Sequence, residues 1–366
     1  MRIGFDAKRA FFNKTGLGNY SRNLINALLH FYPEENYQLY SPKEPKLFQK
    51  VLQNDNVDLS LPQEGIKAIW RSFGLGRQLA GDTLHVYHGL SNELPFDLKR
   101  GNTKSVVTIH DLIYLLHPEW YPAFDRIVYH KKVKWACENA DKVIAISQQT
   151  KNDIIRFYNI KPDKIEVVYQ SCHPRFYNAV SAEDKEKIKE RFELPDNYIL
   201  YVGALSDRKN VLSILKAVKS MTYPLVLVGN GSAYKQTLIS FINKHHLQQR
   251  VKILSLVHDN ELPAIYQMAG IFVYPSVIEG FGIPLLEAMA SGVPVVTTAG
   301  GCFEEVAQSA AKYIKPTHVS DMAKAIAGLM ENDTEREALI TLAKKRAAEL
   351  TEQHFAANIM RVYNSL

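Results

Sequence analysis

The sequence predicts an α/β protein made of two doubly wound parallel sheets, and three observations point there. The chain has 366 residues, more than one hydrophobic core usually organises. Its composition, 46% hydrophobic and 22% charged, is that of an ordinary globular protein, which excludes a disordered chain, a collagen-like chain and a small disulfide scaffold. Short β-branched or apolar runs alternate with longer amphipathic segments in two successive sets.

In the first set, residues 2–5, 37–40, 83–87, 105–109, 142–146 and 165–168 read as strands, with helical pattern over 17–31, around 124–139 and over 148–158. In the second, 198–202, 225–228, 251–256, 271–274 and 293–297 read as strands with helices between them. Such strands belong to parallel sheets covered on both faces. The boundary falls at Ser171-Cys172-His173-Pro174, where the strand pattern stops and the charged segment 183–191 begins, giving domains 1–174 and 175–350. Residues 351–366 carry an apolar stripe of Phe355, Ile359, Met360, Val362 and Tyr363, which a terminal helix packed back on the first domain would bury.

Cys137, Cys172 and Cys302 stand far apart with no Cys-x-x-Cys pair, so no zinc site or disulfide framework is indicated and a reducing, cytoplasmic setting is expected. Met1-Arg2-Ile3-Gly4-Phe5-Asp6 reaches an aspartate and the Lys8-Arg9 pair before a signal-peptide run forms. No stretch approaches the roughly 18 apolar residues that span a bilayer. Net charge is +6; residues 1–180 hold 24 basic and 18 acidic residues against 20 and 20 in 181–366, so the excess lies in the first half. With Lys131, Lys132 and Lys134 close together, it suits an anionic partner such as phospholipid headgroups, a lipid diphosphate or nucleic acid, or is an ordinary solvated face. No aromatic-basic interleaving supports a nucleic-acid partner.

In open parallel sheets ligands lie beyond the carboxyl ends of strands where strand order reverses, and two such domains face to face leave a cleft. The richest loop after a strand is Tyr274-Pro275-Ser276-Val277-Ile278-Glu279-Gly280-Phe281-Gly282-Ile283-Pro284-Leu285-Leu286-Glu287. Pro284 fits the first turn of a helix. Amides around Gly282, Ile283 and Leu285 should then point outward, unpaired and partly positive, as an anion site suited to a diphosphate. A carboxylate only accepts hydrogen bonds, so Glu279 and Glu287 suit sugar or ribose hydroxyls flanking that site. The plainer alternative makes Glu279 a loop cap and Glu287 a solvated helix residue.

Glu279, seven intervening residues and Glu287, in the setting Glu-Gly-Phe-Gly-Ile-Pro-Leu-Leu-Glu-Ala-Met-Ala-Ser-Gly-Val-Pro, resemble the signature of the retaining glycosyltransferases of family 4. That family has the GT-B fold, two Rossmann-like domains facing across a cleft with a C-terminal helix crossing back to the first. The likeness spans nearly the whole chain. Tyr201-Val202-Gly203-Ala204-Leu205-Ser206-Asp207-Arg208-Lys209-Asn210 is similar to the family's loop that holds the donor diphosphate, which implies that role for Arg208 and Lys209. A buried diphosphate needs cations as well as amides. Some relatives have arginine directly after the glycine, where this sequence has Ala204.

Residues 251–269 resemble the base-recognition stretch, with backbone groups of Leu256 and Val257 reading the base edge. Val106-Val107-Thr108-Ile109-His110-Asp111-Leu112 delivers His110 to a strand end, and the resemblance assigns it to the donor sugar. Thr15-Gly16-Leu17-Gly18-Asn19-Tyr20-Ser21 matches the glycine-rich loop, so Gly16 and Gly18 are expected to let backbone approach the donor phosphates or the acceptor. Val228-Gly229-Asn230-Gly231-Ser232-Ala233-Tyr234 reads as a turn between strand and helix. In Ala299-Gly300-Gly301-Cys302-Phe303-Glu304-Glu305-Val306, Glu305 is the candidate glutamate and simple helix capping the alternative. Acceptor loops are expected at 11–15 and 90–100.

The resemblance implies a hexosyltransferase moving mannose by preference from a nucleoside-diphosphate sugar to a hydroxyl of a glycan or lipid-linked saccharide in surface polysaccharide assembly. GDP-mannose is the favoured donor, with UDP- and ADP-sugars the others to test. No separate cofactor is expected and, without an Asp-x-Asp segment, no metal. Peripheral contact with the inner face of the membrane through the first domain is a further expectation. A sugar-nucleotide epimerase of the same architecture is the alternative.

Overall fold

The computed structural model describes residues 1–62, 67–98, 102–231 and 233–366. Ser232 of the turn at 228–234 and residues 99–100 of the expected acceptor loop lie outside them. Seven strands, β1 (Arg2–Asp6), β2 (Asn36–Tyr40), β3 (Val57–Ser60), β4 (Val86–Gly89), β5 (Lys104–Ile109), β6 (Lys142–Ala145) and β7 (Ile165–Val167), form one sheet of order β3-β2-β1-β4-β5-β6-β7. Six more, β8 (Tyr198–Val202), β9 (Leu225–Val228), β10 (Val251–Leu254), β11 (Ala269–Tyr274), β12 (Val295–Thr298) and β13 (Ala311–Ile314), form a second of order β10-β9-β8-β11-β12-β13. All pairings are parallel, so the two doubly wound sheets expected from the sequence are present.

The chain divides into two compact units, one of Met1–Ser171 with Glu352–Leu366, the other of Cys172–Thr351. Central strands are buried along their whole length, as β8, β9 and β12 show. Two strands go unread in the sequence, β3 and β13. Both are edge strands with one neighbour, so VDLS and AKYI keep polar or half-exposed positions and never make an apolar run. The run expected at 83–87 instead pairs as Val86–Gly89, because β4 continues through the buried polar His88. The strand expected to 256 stops at Leu254.

In the first unit the terminal helix Glu352–Asn364 lies on the helix Gly16–Phe31 and buries Phe355, Ile359, Met360, Val362 and Tyr363. A buried polar chain stitches it to the sheet. Tyr363 and His88 Nδ1 share a hydrogen bond of 2.6 Å, His88 Nε2 and the Thr108 hydroxyl one of 2.8 Å, and Thr108 and Tyr20 one of 2.9 Å. Burial holds His88 down to about 3, so its ring is neutral and one nitrogen donates while the other accepts. Leaving any member unpaired there would cost ~1–3 kcal/mol.

Candidate functional site

In the second unit strand order reverses between β8 and β11. Connections leaving such a pair for opposite faces open a crevice at the strands' carboxyl ends. Arg208 and Lys209 stand in the turn after β8 and Glu279 in the turn after β11. Close backbone contact shapes the first turn. The Gly203 amide donates to the Val228 carbonyl and the Leu205 amide to the Asn230 carbonyl, both at 2.9 Å. A Cβ on Gly229 would stand 1.8 Å from the Gly203 oxygen, and one on Gly231 2.1 Å from the Leu205 oxygen. Glycine in the Val228–Gly231 segment is thus a packing requirement. Asn210 closes the turn in the left-handed region at φ 56°, its side-chain amide donating to the Pro316 carbonyl at 2.8 Å.

So held, both cations converge on one carboxylate. Arg208 Nη1 donates to Glu279 Oε2 at 2.8 Å and to the Ile278 carbonyl at 2.7 Å. Lys209 Nζ donates to Glu279 Oε1 and, at 2.6 Å, to the Tyr274 hydroxyl, which itself donates to Glu279 Oε1 at 3.1 Å. The Cys302 thiol donates to the Glu279 carbonyl. Burial works to raise the Glu279 pKa, but Lys209 and Arg208 overcome it and hold the carboxyl down to about 2. Glu279 is 8% exposed, as is Lys209, whereas the Arg208 side chain keeps 26% of its surface open. The cluster carries one net positive charge, and Arg208 is its accessible end.

Gly282, at φ 94°, caps the helix Ile283–Ala290, with Pro284 in its first turn. Leu285 corrects the sequence expectation. Its amide is not turned outward but donates to the Gly282 carbonyl at 2.9 Å, tightening the first turn. Pro284 has no N–H, so Gly282 and Ile283 remain the amides suited to an anion. Glu287 is not the solvated helix residue of the plainer reading: it is half-buried, its Oε2 accepting from the Tyr266 hydroxyl at 3.0 Å. Burial raises its pKa to about 7.

Elsewhere in this unit, Val257 lies half-buried in the loop after β10, and Leu256 before it is 84% exposed. Glu261 Oε2 accepts from the His258 amide at 2.7 Å and fixes that loop. In the turn after β12 it is Glu304, not Glu305, that accepts from the Gly300 amide, at 2.8 Å; Glu305 is half-buried. Sequence reasoning missed Tyr274 and Tyr266. The available signal was a tyrosine within an apolar buried run, since a buried hydroxyl must find a partner.

In the first unit His110 follows β5. Its Nε2 lies 2.9 Å from the Leu90 carbonyl, its ring meets Tyr20 edge-on at 4.6 Å, and its amide donates to Asn92 Oδ1 at 2.7 Å. Burial pulls its pKa down to about 4, so the ring is neutral. A carbonyl can only accept; Nε2 therefore carries the proton and Nδ1 is the acceptor. Gly18 is occupied by packing, since a Cβ there would stand 1.9 Å from the Asn13 oxygen, whereas a Cβ on Gly16 would meet open space. Among the described residues no group of three or more His, Cys, Asp or Glu is placed to hold a metal, and no helix is long and apolar enough to cross a membrane.

Comparison with known proteins bears on the family and the fold. The family model "Glycosyltransferase Family 4" matches residues 16–174 and "Glycosyl transferases group 1" matches residues 182–346. The chain is 29% identical over 290 residues to O-antigen chain mannosyltransferase B of Escherichia coli, covering 77% of this chain and 74% of that protein. It is 34% identical over 243 residues to O-antigen chain mannosyltransferase RfbU of Salmonella typhimurium, covering 63% and 65%. Among solved structures, Anabaena Alr3699/HepE in complex with UDP superposes with a TM-score of 0.78 at 19% identity, covering all of both chains, which shows the same GT-B fold. With one model on each sheet domain and the two carboxylates of the signature in the second, the chain belongs to the group 1, family 4 glycosyltransferases.

Proposed function

We propose that this glycosyltransferase moves mannose from GDP-mannose to a hydroxyl of a glycan or lipid-linked saccharide, with retention at the anomeric carbon, in surface polysaccharide assembly. The observation that carries this reading is the Arg208, Lys209 and Glu279 cluster, net positive and set at the strand-order reversal beside the start of the helix Ile283–Ala290. A departing diphosphate gains negative charge, and the partly buried Arg208 guanidinium fork with helix-start amides at Gly282 and Ile283 stabilises it there. Lys209 pairs with Glu279 and fixes it; Glu279 accepts hydroxyls of the donor sugar, and Glu287 those of the ribose. Val257 backbone reads the base. Gly16 leaves room for backbone to approach a phosphate, Gly18 sets the close packing of that loop, and His110 Nδ1 accepts a sugar hydroxyl. Among the described residues no carboxylate pair is identified as nucleophile and general acid, and in this reading the leaving phosphate oxygen takes the acceptor proton in a front-face substitution, with catalysis by positioning and charge stabilisation.

The mannosyltransferase names of two relatives support mannose. Thermal-shift screening with GDP-, UDP- and ADP-mannose and -glucose tests the donor, because stabilisation grows with ligand excess over Kd. GDP-mannose should give the largest shift and an α-linked product by NMR; no shift with any nucleotide sinks the proposal. Activity lost to chelator and restored by manganese would overturn metal independence. Epimerised donor in the absence of acceptor would favour the epimerase. Peripheral membrane contact belongs to the same reading. The helix Ala123–Asn139 exposes Phe124 (75%), Ile127, Lys131 and Lys134 at helical spacing, an apolar and basic stripe suited to an anionic bilayer. It should cosediment with phosphatidylglycerol vesicles and not with phosphatidylcholine; equal partition ends that part of the proposal.

A further inference from the structure

The first sheet has its own reversal of strand order, between β1 and β4. Lys8 and Arg9 follow β1; Ser91 and Glu93 follow β4. Four cations and two carboxylates share this neighbourhood. Arg71 is buried, its Nε donating to Asp6 Oδ2 at 2.6 Å, Nη1 to Glu93 Oε2 at 3.0 Å and Nη2 to Ser91 Oγ at 3.2 Å. Lys132 Nζ also donates to Glu93 Oε2, at 3.0 Å. Both carboxylates are thereby committed to Arg71 and Lys132.

Lys8 and Arg9 are left over. Among the described residues neither side chain has an ion-pair partner, and Arg9 Nε is buried with no hydrogen-bond partner. Both residues are half-buried. Burial first, then the charge of Arg71, hold the Lys8 ammonium below its usual range, with Arg9 adding to the effect and Glu93 and Asp6 opposing it. The charge of Arg9 also reaches Glu93 and His110. The neutral ring of His110 contributes no counter-charge, so the neighbourhood carries two positive charges in excess. Partly desolvated cations in that condition are unfavourable until an anion joins them.

We propose that Lys8 and Arg9 form an oxyanion subsite of the first unit that takes the negatively charged group of the acceptor, the diphosphate of a lipid-linked saccharide or the carboxylate of an acidic sugar. This rests on the glycosyl-transfer reading above. The donor's own diphosphate already has its cations in Arg208 and Lys209, which leaves the first-unit pair for the other substrate. A guanidinium fork beside an ammonium point charge matches phosphate or carboxylate oxygens.

The test uses the full chain saturated with GDP, so that the donor site is filled, and three probes read by calorimetry: farnesyl diphosphate, farnesol and methyl glucuronide. Farnesyl diphosphate binding with farnesol inert assigns a diphosphate; methyl glucuronide binding instead assigns a carboxylate. Lys8→Gln and Arg9→Gln should each weaken the charged probe by about tenfold or more, Lys8→Arg and Arg9→Lys by less than about threefold, with GDP affinity unchanged in all four. The conservative pair shows that the loss follows charge and not misfolding. The proposal falls if neither charged probe binds, if binding survives Lys8→Gln/Arg9→Gln together, or if GDP affinity drops by the same factor as the probe's. Failure of GDP to bind the unaltered chain would instead overturn the donor-site reading, and this proposal with it.

Discussion

Replacing Glu279 by glutamine keeps the side chain's size and removes the one negative charge that Arg208 and Lys209 share. The Glu279 carboxyl ionises at about 2 in the folded chain, against 4.5 for an ordinary glutamate. A depressed carboxyl contributes stability that is complete above the unfolded value and is lost as pH falls toward the folded one. That difference is worth about 3 kcal/mol at pH 7, and about 1 kcal/mol of it is gone at pH 4. Glu279→Gln should therefore unfold more easily by about 3 kcal/mol at pH 7 and by about 2 kcal/mol at pH 4. Urea unfolding followed by far-UV circular dichroism and by tryptophan fluorescence separates the units, because Trp70, Trp120 and Trp135 all belong to the first. The loss should appear in the dichroism transition and leave the fluorescence transition in place. Nucleoside-diphosphate affinity should hold or tighten as the cluster passes from one net positive charge to two, while turnover falls by about 100-fold or more. A deficit that ignores pH, or a variant that turns over normally, would refute the shared-carboxylate reasoning and make Glu279 a loop cap.

Arg208→Ala and Lys209→Ala should each lower kcat/KM by more than the ~1 kcal/mol of an exposed ion pair, and Lys209→Ala alone should also lower the urea midpoint, since Lys209 is the buried member; unchanged kinetics in both defeats the assignment. Glu287 is the opposite linkage case. With its pKa raised to about 7, its burial costs nothing below pH 4.5 and progressively more up to pH 7, so Glu287→Gln should be more stable than the parent at pH 8 by up to about 3 kcal/mol and equal to it at pH 4. The same variant should lose preference for ribo- over 2′-deoxyribonucleotides; a preserved preference removes Glu287 from the ribose. Gly229→Ala, whose Cβ would stand 1.8 Å from the Gly203 oxygen, should lower the melting temperature and weaken nucleotide binding together by displacing the Arg208 turn, and normal binding would show that turn to be independent of its backing.

The central strands were legible because a strand buried on both faces has to be apolar throughout, and β8, β9 and β12 are. The edge strands β3 and β13 lie under no such requirement, and β4 carries a buried histidine made tolerable by Thr108 and Tyr363, partners distant in sequence. The site divides in the same way. Positions set by local backbone, the Gly282 cap, Pro284 and the Glu279 to Glu287 spacing, could be read along the chain. The bond from Arg208 to Glu279 spans 71 residues, and nothing local to either shows that the carboxylate and the cations meet.

Charge counts mislead for a related reason. Residues 181–366 balance at 20 basic and 20 acidic, yet the reversal point of the second sheet holds two cations on one carboxylate. The first half carries the whole excess of the sequence, but a surplus spread over solvated lysines says little about binding. What matters is which cations remain after every nearby carboxylate has been assigned. For Lys8 and Arg9 that remainder becomes visible only once Asp6 and Glu93 are seen engaged by Arg71 and Lys132. A sequence shows the charges available, whereas pairing in the fold decides which of them are left over, and in the first sheet Lys8 and Arg9 are left where strand order reverses.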